Sequence, residues 1–260
     1  MGVSEGEWRD ASFERVDMSG ARFRVVDLRG ARFEHADMRG VVMRGVELCD
    51  VAIDGEVVNV TINGVDIAPL VEAELDRRDP ERAKMRPTDP DGFREAWDIV
   101  ERRWRETVAH ARQLERRDPA LLHESVDGEW SFVQTLRHLL FATDAWIRRV
   151  VLGDPSPWDA LDLPFDQMTP NPAVPWDRAA RPSLDEVLAL RADRMATMRG
   201  VVDGLTDEML QSSTTPVDAP GWPRPNSYAV RDCILIVLNE EWHHRLYAER
   251  DLAVLESRRW

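Results

Sequence analysis

The chain has 260 residues, of which 43% are hydrophobic, so it is long enough for one large domain or two small ones with a proper core. Its 34 lysines and arginines are outnumbered by 48 aspartates and glutamates, and the net charge of -14 argues against a nucleic-acid partner because it repels phosphate backbones. No apolar run approaches the roughly 20 residues of a membrane span and no leader is recognisable, so we expect a cytoplasmic protein with no membrane partner.

Residues 11–60 repeat with a period of five. The first position is small or β-branched in every unit but the last, and the third is always a large apolar residue: Phe13, Met18, Phe23, Leu28, Phe33, Met38, Met43, Leu48, Ile53 and Val58. A period of five fits neither an α-helix nor a flat strand, but it suits a square coil whose interior is filled by these two positions. The pattern resembles the pentapeptide-repeat family, which implies a short right-handed quadrilateral β-helix with four units per turn.

The repeat is lost at Asn63, and residues 62–67 have the composition of a closing turn. Residues 68–85 then show helical periodicity interrupted at Pro80, before the prolines of residues 87–90 break the chain. We therefore expect a β-solenoid at 1–66, a helical connector at 67–89 and a helical domain at 90–260. The two cysteines, Cys49 and Cys233, lie in different predicted units, so no disulfide framework is expected.

Four long helices are predicted in the third part of the chain. The first covers residues 91–117, the second begins after an N-cap at Ser131, the third follows an N-cap at Ser183, and the fourth runs from about Ser227 to Glu256. A proline-rich segment at 153–182 separates the second helix from the third, and a connection of that length is usually functional or a lid. The predicted fold class is α+β, mainly α, with a four-helix bundle after the solenoid.

The last helix and the second carry the candidate metal ligands. Glu240 and His244 are four residues apart, so a helix places both on one face, which also carries Cys233 and Val237. Burying a carboxylate and an imidazole is costly without a partner, and a metal ion with His138 as third ligand satisfies them. Each part has a plainer explanation: a lone histidine is more often a hydrogen-bonded core residue, and the other two fit a helical ion pair. The combination favours metal.

Two registers of the last helix compete for this role. His244 lies about 40° from Glu240 towards Val237 and Cys233, whereas His243 lies about 60° away on the other side. A pairing of Asn239 with His243 is disfavoured because an amide is a poorer metal ligand than a carboxylate.

Other candidate residues receive plainer interpretations. His35, His110 and His123 have no partners at metal-ligand spacing. Most tryptophans, including Trp130, are expected to pack in the core. Trp158 and Trp176 in the proline-rich segment are candidates for lining an entrance to the site.

Residues 90–256 resemble the DinB-like family of four-helix bundles. The resemblance rests on the segments 128–131, 136–139 and 241–244, together with 247–252 near the end of the last helix. It implies one metal-binding histidine on the second helix and two ligands four apart on the last, often His-x-x-x-His. This chain has Glu-x-x-x-His, which resembles the mycothiol-dependent maleylpyruvate isomerase branch, and that likeness implies zinc bound by His138, Glu240 and His244.

Three protein ligands leave a position open for catalysis. The family resemblance implies a thiol transferase or isomerase that activates a low-molecular-weight thiol such as mycothiol for attack on a small electrophile. Zinc is the expected ion, with nickel and iron as alternatives; the sequence identifies no catalytic or thiol-binding residue. A metal-dependent hydrolase and a non-catalytic interaction protein that uses the repeats are the alternatives. The expected partners are a small-molecule substrate and a thiol, and a homodimer stays open.

Overall fold

The computed structural model describes residues 8–34 and 36–258. The chain divides into two compact units, the first extending to Glu56 and the second beginning at Val57. Helices account for most of the regular structure in the described part, as the sequence predicts. None of the helices found there combines the length and the apolar character needed to cross a membrane.

The first unit is built on tight turns spaced ten residues apart. In each turn a backbone N–H donates to the carbonyl three residues earlier, at Ala21 to Met18 (2.9 Å), Ala31 to Leu28 (3.0 Å) and Val41 to Met38 (3.2 Å). The third residue of these turns is glycine with a φ of +73° to +75°, at Gly20, Gly30 and Gly40. This is the conformation of a type II turn, which a residue with a Cβ rarely adopts. These turns explain why every second five-residue unit between residues 11 and 40 ends in glycine.

The apolar third positions of the repeats are exposed. Phe13, Phe23 and Phe33 retain 54%, 64% and 62% of their accessible surface. No strand is present between residues 8 and 56, His35 excepted because it is not described. A closed quadrilateral coil would bury these side chains, so the β-helix is not confirmed and stays a prediction.

The second unit starts with a small hairpin. Strand β1 (Thr61–Ile62) pairs antiparallel with β2 (Val65–Asp66). The two connecting residues, Asn63 and Gly64, both have positive φ (51° and 82°), as a type I′ turn requires. The turn predicted here is confirmed. Helix α1 (Ala68–Arg78) follows and is succeeded by a 3₁₀ turn at Pro80–Met85, so the predicted break at Pro80 is confirmed as well.

Four helices form the core of the second unit. Their bounds are α2 Pro90–Arg117, α3 Phe132–Thr143, α4 Leu184–Asp203 and, after a short α5 at Asp207–Gln211, α6 Val230–Ser257. Helix α2 packs against α4 and α6, and α3 packs against the same two. The predicted four-helix bundle is confirmed. A 3₁₀ turn at Pro119–His123 follows α2, and α3 continues directly into a π-helical turn at Asp144–Val151.

Helices α3 and α4 begin where the sequence signals predict, whereas α6 begins at Val230, three residues after the predicted start at Ser227. Ser131 and Ser183 each accept a hydrogen bond from the backbone of the third helical residue, whose side chain bonds back to the cap. These are the two halves of a capping box, so both caps are confirmed. The apolar stripe of α2 is also confirmed, since Phe93, Trp97 and Val100 are each only 1% exposed.

The proline-rich connection between α3 and α4 is fixed to the bundle by a buried arginine. Arg137 on α3 has no exposed surface, and its guanidinium donates to the carbonyls of Leu161 (2.7 Å), Asp177 (2.5 Å) and Ala180 (3.3 Å). A buried guanidinium needs acceptors for its five N–H groups, and here backbone carbonyls supply them. The connection is therefore an ordered part of the domain.

Candidate metal centre

The three predicted ligands lie together between α3 and α6. His138 comes from α3, and Glu240 and His244 come from successive turns of α6. One carboxylate oxygen of Glu240 is 3.3 Å from Nε2 of His138 and 3.0 Å from Nε2 of His244. One ligand atom from each residue lies within 4.8 Å of the other two, which is close enough to hold one ion. Among residues 8–34 and 36–258, these three residues form the group of potential ligands with this geometry.

The surroundings of His138 determine which ring nitrogen carries the hydrogen. Nδ1 lies 3.0 Å from the carbonyl oxygen of Leu163, which can only accept a hydrogen bond. Nδ1 must therefore be the donor, and the neutral ring then has its lone pair on Nε2. That lone pair faces an oxygen of Glu240, which is also an acceptor. Two acceptors at 3.3 Å repel each other unless a proton or a cation lies between them, so these residues fit a metal ion.

Glu240 supplies the negative charge of the site. Burial raises the pKa of its carboxyl group, but a positive charge shared with the rings of His138 and His244 outweighs burial and holds the pKa well below its usual range. The carboxylate is therefore ionised at neutral pH. Two imidazole nitrogens with one carboxylate oxygen form a donor set that suits zinc and leaves coordination positions open.

Trp130 forms an aromatic wall beside the two imidazoles. Its ring is nearly parallel to that of His244, at 14° and 5.8 Å between centroids, and lies 4.5 Å from the ring of His138. The side chain of His138 is only 6% exposed, whereas that of Glu240 is 34% exposed. Access from solvent is therefore on the side of Glu240. The sequence predicts only a packing role for Trp130, because it precedes the cap of α3 and helical periodicity does not reach it.

Helix α6 is held in the rotation that points Glu240 at His138. The neighbouring Glu241 is 1% exposed and accepts two hydrogen bonds from Arg191 on α4, at 2.6 and 2.8 Å. His243 and Asn239, the competing register, are exposed. Cys233 and Val237 are fully buried on the inward face. The helical arithmetic that preferred His244 to His243 therefore agrees with the structure.

The remaining candidates have partners or positions outside the three-residue cluster. Trp158 stacks on Phe141 at 5.8 Å, within an aromatic cluster under the proline-rich connection, and Trp176 lies beneath the guanidinium of Arg178 at 5.0 Å. His110 is 3.2 Å from Glu256, and His123 lies in the 3₁₀ turn after α2. His35 lies outside the described residues.

Comparison with known families gives two matches. The family model of the DinB superfamily matches residues 68–248, which include all three candidate ligands. The model of the pentapeptide repeats matches residues 9–45 with 8 copies. No curated protein and no solved structure matches the chain.

Proposed function

The chain belongs to the DinB superfamily, and from that premise we propose that it is a metal-dependent enzyme whose ion is bound by His138, Glu240 and His244. The observation that carries the proposal is the lone pair of His138 Nε2 facing an oxygen of Glu240 at 3.3 Å, a contact that a cation would turn from repulsive to attractive. Zinc is the first candidate, since two imidazoles and a carboxylate are among its preferred ligands, with nickel and iron as alternatives.

We further propose that the reaction uses a low-molecular-weight thiol such as mycothiol, which is transferred to a small electrophile or used to isomerise one. When bound, the ion would supply a positive charge that lowers the pKa of a thiol at the open position. The chain's own residues have separate tasks. Leu163 fixes the hydrogen of His138 on Nδ1, Trp130 excludes water from one side of the imidazoles, and the exposed side of Glu240 admits the substrate. The Glu-x-x-x-His spacing supports this choice within the family.

Metal analysis of the purified protein tests the site. We expect about one zinc ion per chain in the wild type and in His243→Ala, which removes the adjacent exposed histidine. The double variant His138→Ala, His244→Ala should lose the ion. Equally low metal content in the wild type and the double variant would contradict the proposal.

Thiol dependence separates the transferase from a hydrolase with the same ligands. Small electrophiles should be turned over by the zinc-loaded protein when mycothiol or a simple thiol is added, and left unchanged without it. Turnover that needs only water would favour the hydrolase.

The repeat unit carries none of the three candidate metal ligands. Its 8 matched copies support the closed quadrilateral coil as its folded form, and binding of a protein partner by that coil is the non-catalytic alternative. A pull-down with the full chain, compared with residues 57–260 alone, would reveal such a partner.

A further inference from the structure

Two fully buried carboxyl groups meet where the proline-rich connection passes the end of α3. Asp144 opens the π-helical turn after α3 and Asp162 belongs to the proline-rich connection; neither has any exposed surface. Their side chains are within hydrogen-bonding reach of each other. Each has one oxygen, Oδ1, for which the described residues offer no other hydrogen-bond partner. A proton shared between the two carboxyl groups would satisfy both oxygens.

The surrounding charges show which carboxyl group keeps the proton. Arg194 on α4 donates to Oδ2 of Asp144 at 2.7 and 3.2 Å, and Nε of Arg148 lies 3.5 Å from the other oxygen. Oδ2 of Asp162 accepts the backbone N–H of Asp159 at 3.2 Å, and within the described residues the charges of Arg137 and Arg194 act on this carboxyl group without a hydrogen bond to it. The negative charge therefore belongs on Asp144, beside the guanidinium groups, and the hydrogen belongs on Asp162.

The electrostatic environment agrees with this assignment. Burial and the charge of Asp144 raise the pKa of Asp162 well above its usual range. Burial also raises the pKa of Asp144, although the hydrogen bonds and charge of Arg194 oppose that change. Two further carboxylates face the pair: Asp159, which adds to the rise at Asp162, and Asp193 on α4, which is 3.1 Å from the guanidinium of Arg194.

Asp162 lies within a three-residue segment that is bonded to α3 on both sides of it. Nε of Arg137 donates to the carbonyl of Leu161 at 2.7 Å, and the N–H of Leu163 donates to the carbonyl of Arg137 at 3.2 Å. The carbonyl of Leu163 then accepts from Nδ1 of His138 at 3.0 Å. Any displacement of residue 162 moves the carbonyl that orients the histidine.

We propose that Asp162 is a positioning residue of the metal centre: the proton it shares with Asp144 holds residues 161–163 on α3 and so keeps the Leu163 carbonyl on Nδ1 of His138. The inference rests on the metal centre proposed above. Asp162, which is not itself one of the three metal ligands, would thereby keep the Nε2 lone pair of His138 directed at the ion. Outer-shell partners of this kind typically change metal affinity by about 10–100-fold when removed.

Two substitutions of Asp162 and one matched control test the proposal in the full chain. Asp162→Asn keeps a neutral donor of the same shape, Asp162→Leu removes the donor at similar volume, and Asp166→Asn changes an exposed carboxylate of the same segment. Zinc affinity, measured by competition with a chelator, should stay near the wild-type value in Asp162→Asn and Asp166→Asn. It should fall by roughly 10–100-fold in Asp162→Leu. Wild-type affinity in a folded Asp162→Leu would overturn the proposal.

A second measurement uses metal-free protein and does not require Asp162→Leu to fold. Folded protein holds a proton on Asp162 that the unfolded chain releases above its ordinary pKa, so rising pH lowers the free energy of unfolding of the wild type. Asp162→Asn removes this contribution. As the pH rises above about 4, the free energy of unfolding of Asp162→Asn should therefore increase relative to that of the wild type. If the free energies of unfolding of the two proteins change in parallel with pH, the proposal that Asp162 holds a proton in the folded state is wrong.

Nitrogen-resolved NMR of the histidine rings separates the two proposals. In metal-free wild type and Asp162→Asn, we expect the hydrogen of His138 on Nδ1; in Asp162→Leu, the Nδ1 tautomer should lose its dominance. An unchanged Nδ1 tautomer in Asp162→Leu would overturn the positioning role. If the wild type binds no zinc, the proposed function fails. The histidine tautomer and the pH dependence of unfolding would still show whether Asp162 positions His138.

Discussion

Two consecutive residues of α3 reach the same piece of chain by different chemistry. Arg137 donates to the backbone carbonyls of Leu161, Asp177 and Ala180, and His138 donates to the carbonyl of Leu163. The first is a structural residue that secures the connection. The second uses the secured backbone to fix its own tautomer. The hydrogen bond that orients His138 therefore depends on a backbone segment that its neighbour Arg137 holds in place.

Cys233 gives a prediction at the scale of single residues. Its thiol is fully buried, and burial raises its pKa to about 11, so it stays protonated and poorly nucleophilic at neutral pH. Cys49 is exposed. We expect a thiol-specific disulfide reagent at pH 8 to modify one cysteine in the native wild type and two after denaturation. Cys49→Ser should show no fast reaction while folded; a fast reaction in that variant would contradict the buried, protonated thiol.

At the scale of elements, the proline-rich connection between α3 and α4 depends on Arg137. Arg137→Met keeps much of the apolar stem but leaves three carbonyls without their donor, and a carbonyl that stays buried without a donor typically costs about 1–3 kcal/mol. We expect limited proteolysis to cut residues 153–182 faster than in the wild type. Arg181→Met, at an exposed arginine near the end of the same connection, is the control and should leave cleavage unchanged.

The elements also show what a sequence reveals and what it does not. Ser131, Ser183 and the apolar stripe of α2 were predictable because caps and periodicity act within a few residues. The grouping of Glu240 with His244 was predictable for the same reason. The hydrogen-bond partner of His138 is a backbone carbonyl 25 residues away, which every residue type possesses, so no side-chain pattern indicates it. The pairing of Asp144 with Asp162 likewise depends on the path of an irregular connection.

The repeat unit illustrates a different limit. The period of five and the glycines of its turns are local and agree with the structure, since Gly20, Gly30 and Gly40 all have positive φ. Closure into a coil depends on contacts between successive turns of the chain. The exposed third positions show that these contacts are not established between residues 8 and 56, His35 aside.

At the scale of the whole molecule, the second unit holds the bundle and all three candidate ligands. We therefore expect residues 57–260 to fold alone and to bind zinc as tightly as the full chain. A zinc concentration about 100 times the dissociation constant should stabilise both forms by about 2.7 kcal/mol, because only the folded state binds the ion. Thermal unfolding with and without zinc measures this.

The control for that experiment is His138→Ala in the same fragment. It should unfold at the same temperature whether zinc is present or not. A zinc-dependent rise of the melting temperature in this variant would show that the stabilisation comes from other residues.

The spacing of Glu240 and His244 along a single helix also sets an order of events during folding. These two side chains come together as soon as one turn of α6 forms, whereas His138 is 102 residues away from Glu240 and joins only when α3 docks. A nascent α6 thus offers a two-point chelate before any tertiary structure exists. The ion can therefore stabilise α6 early in folding. The third bond, to His138, forms only after α3 has packed against α6.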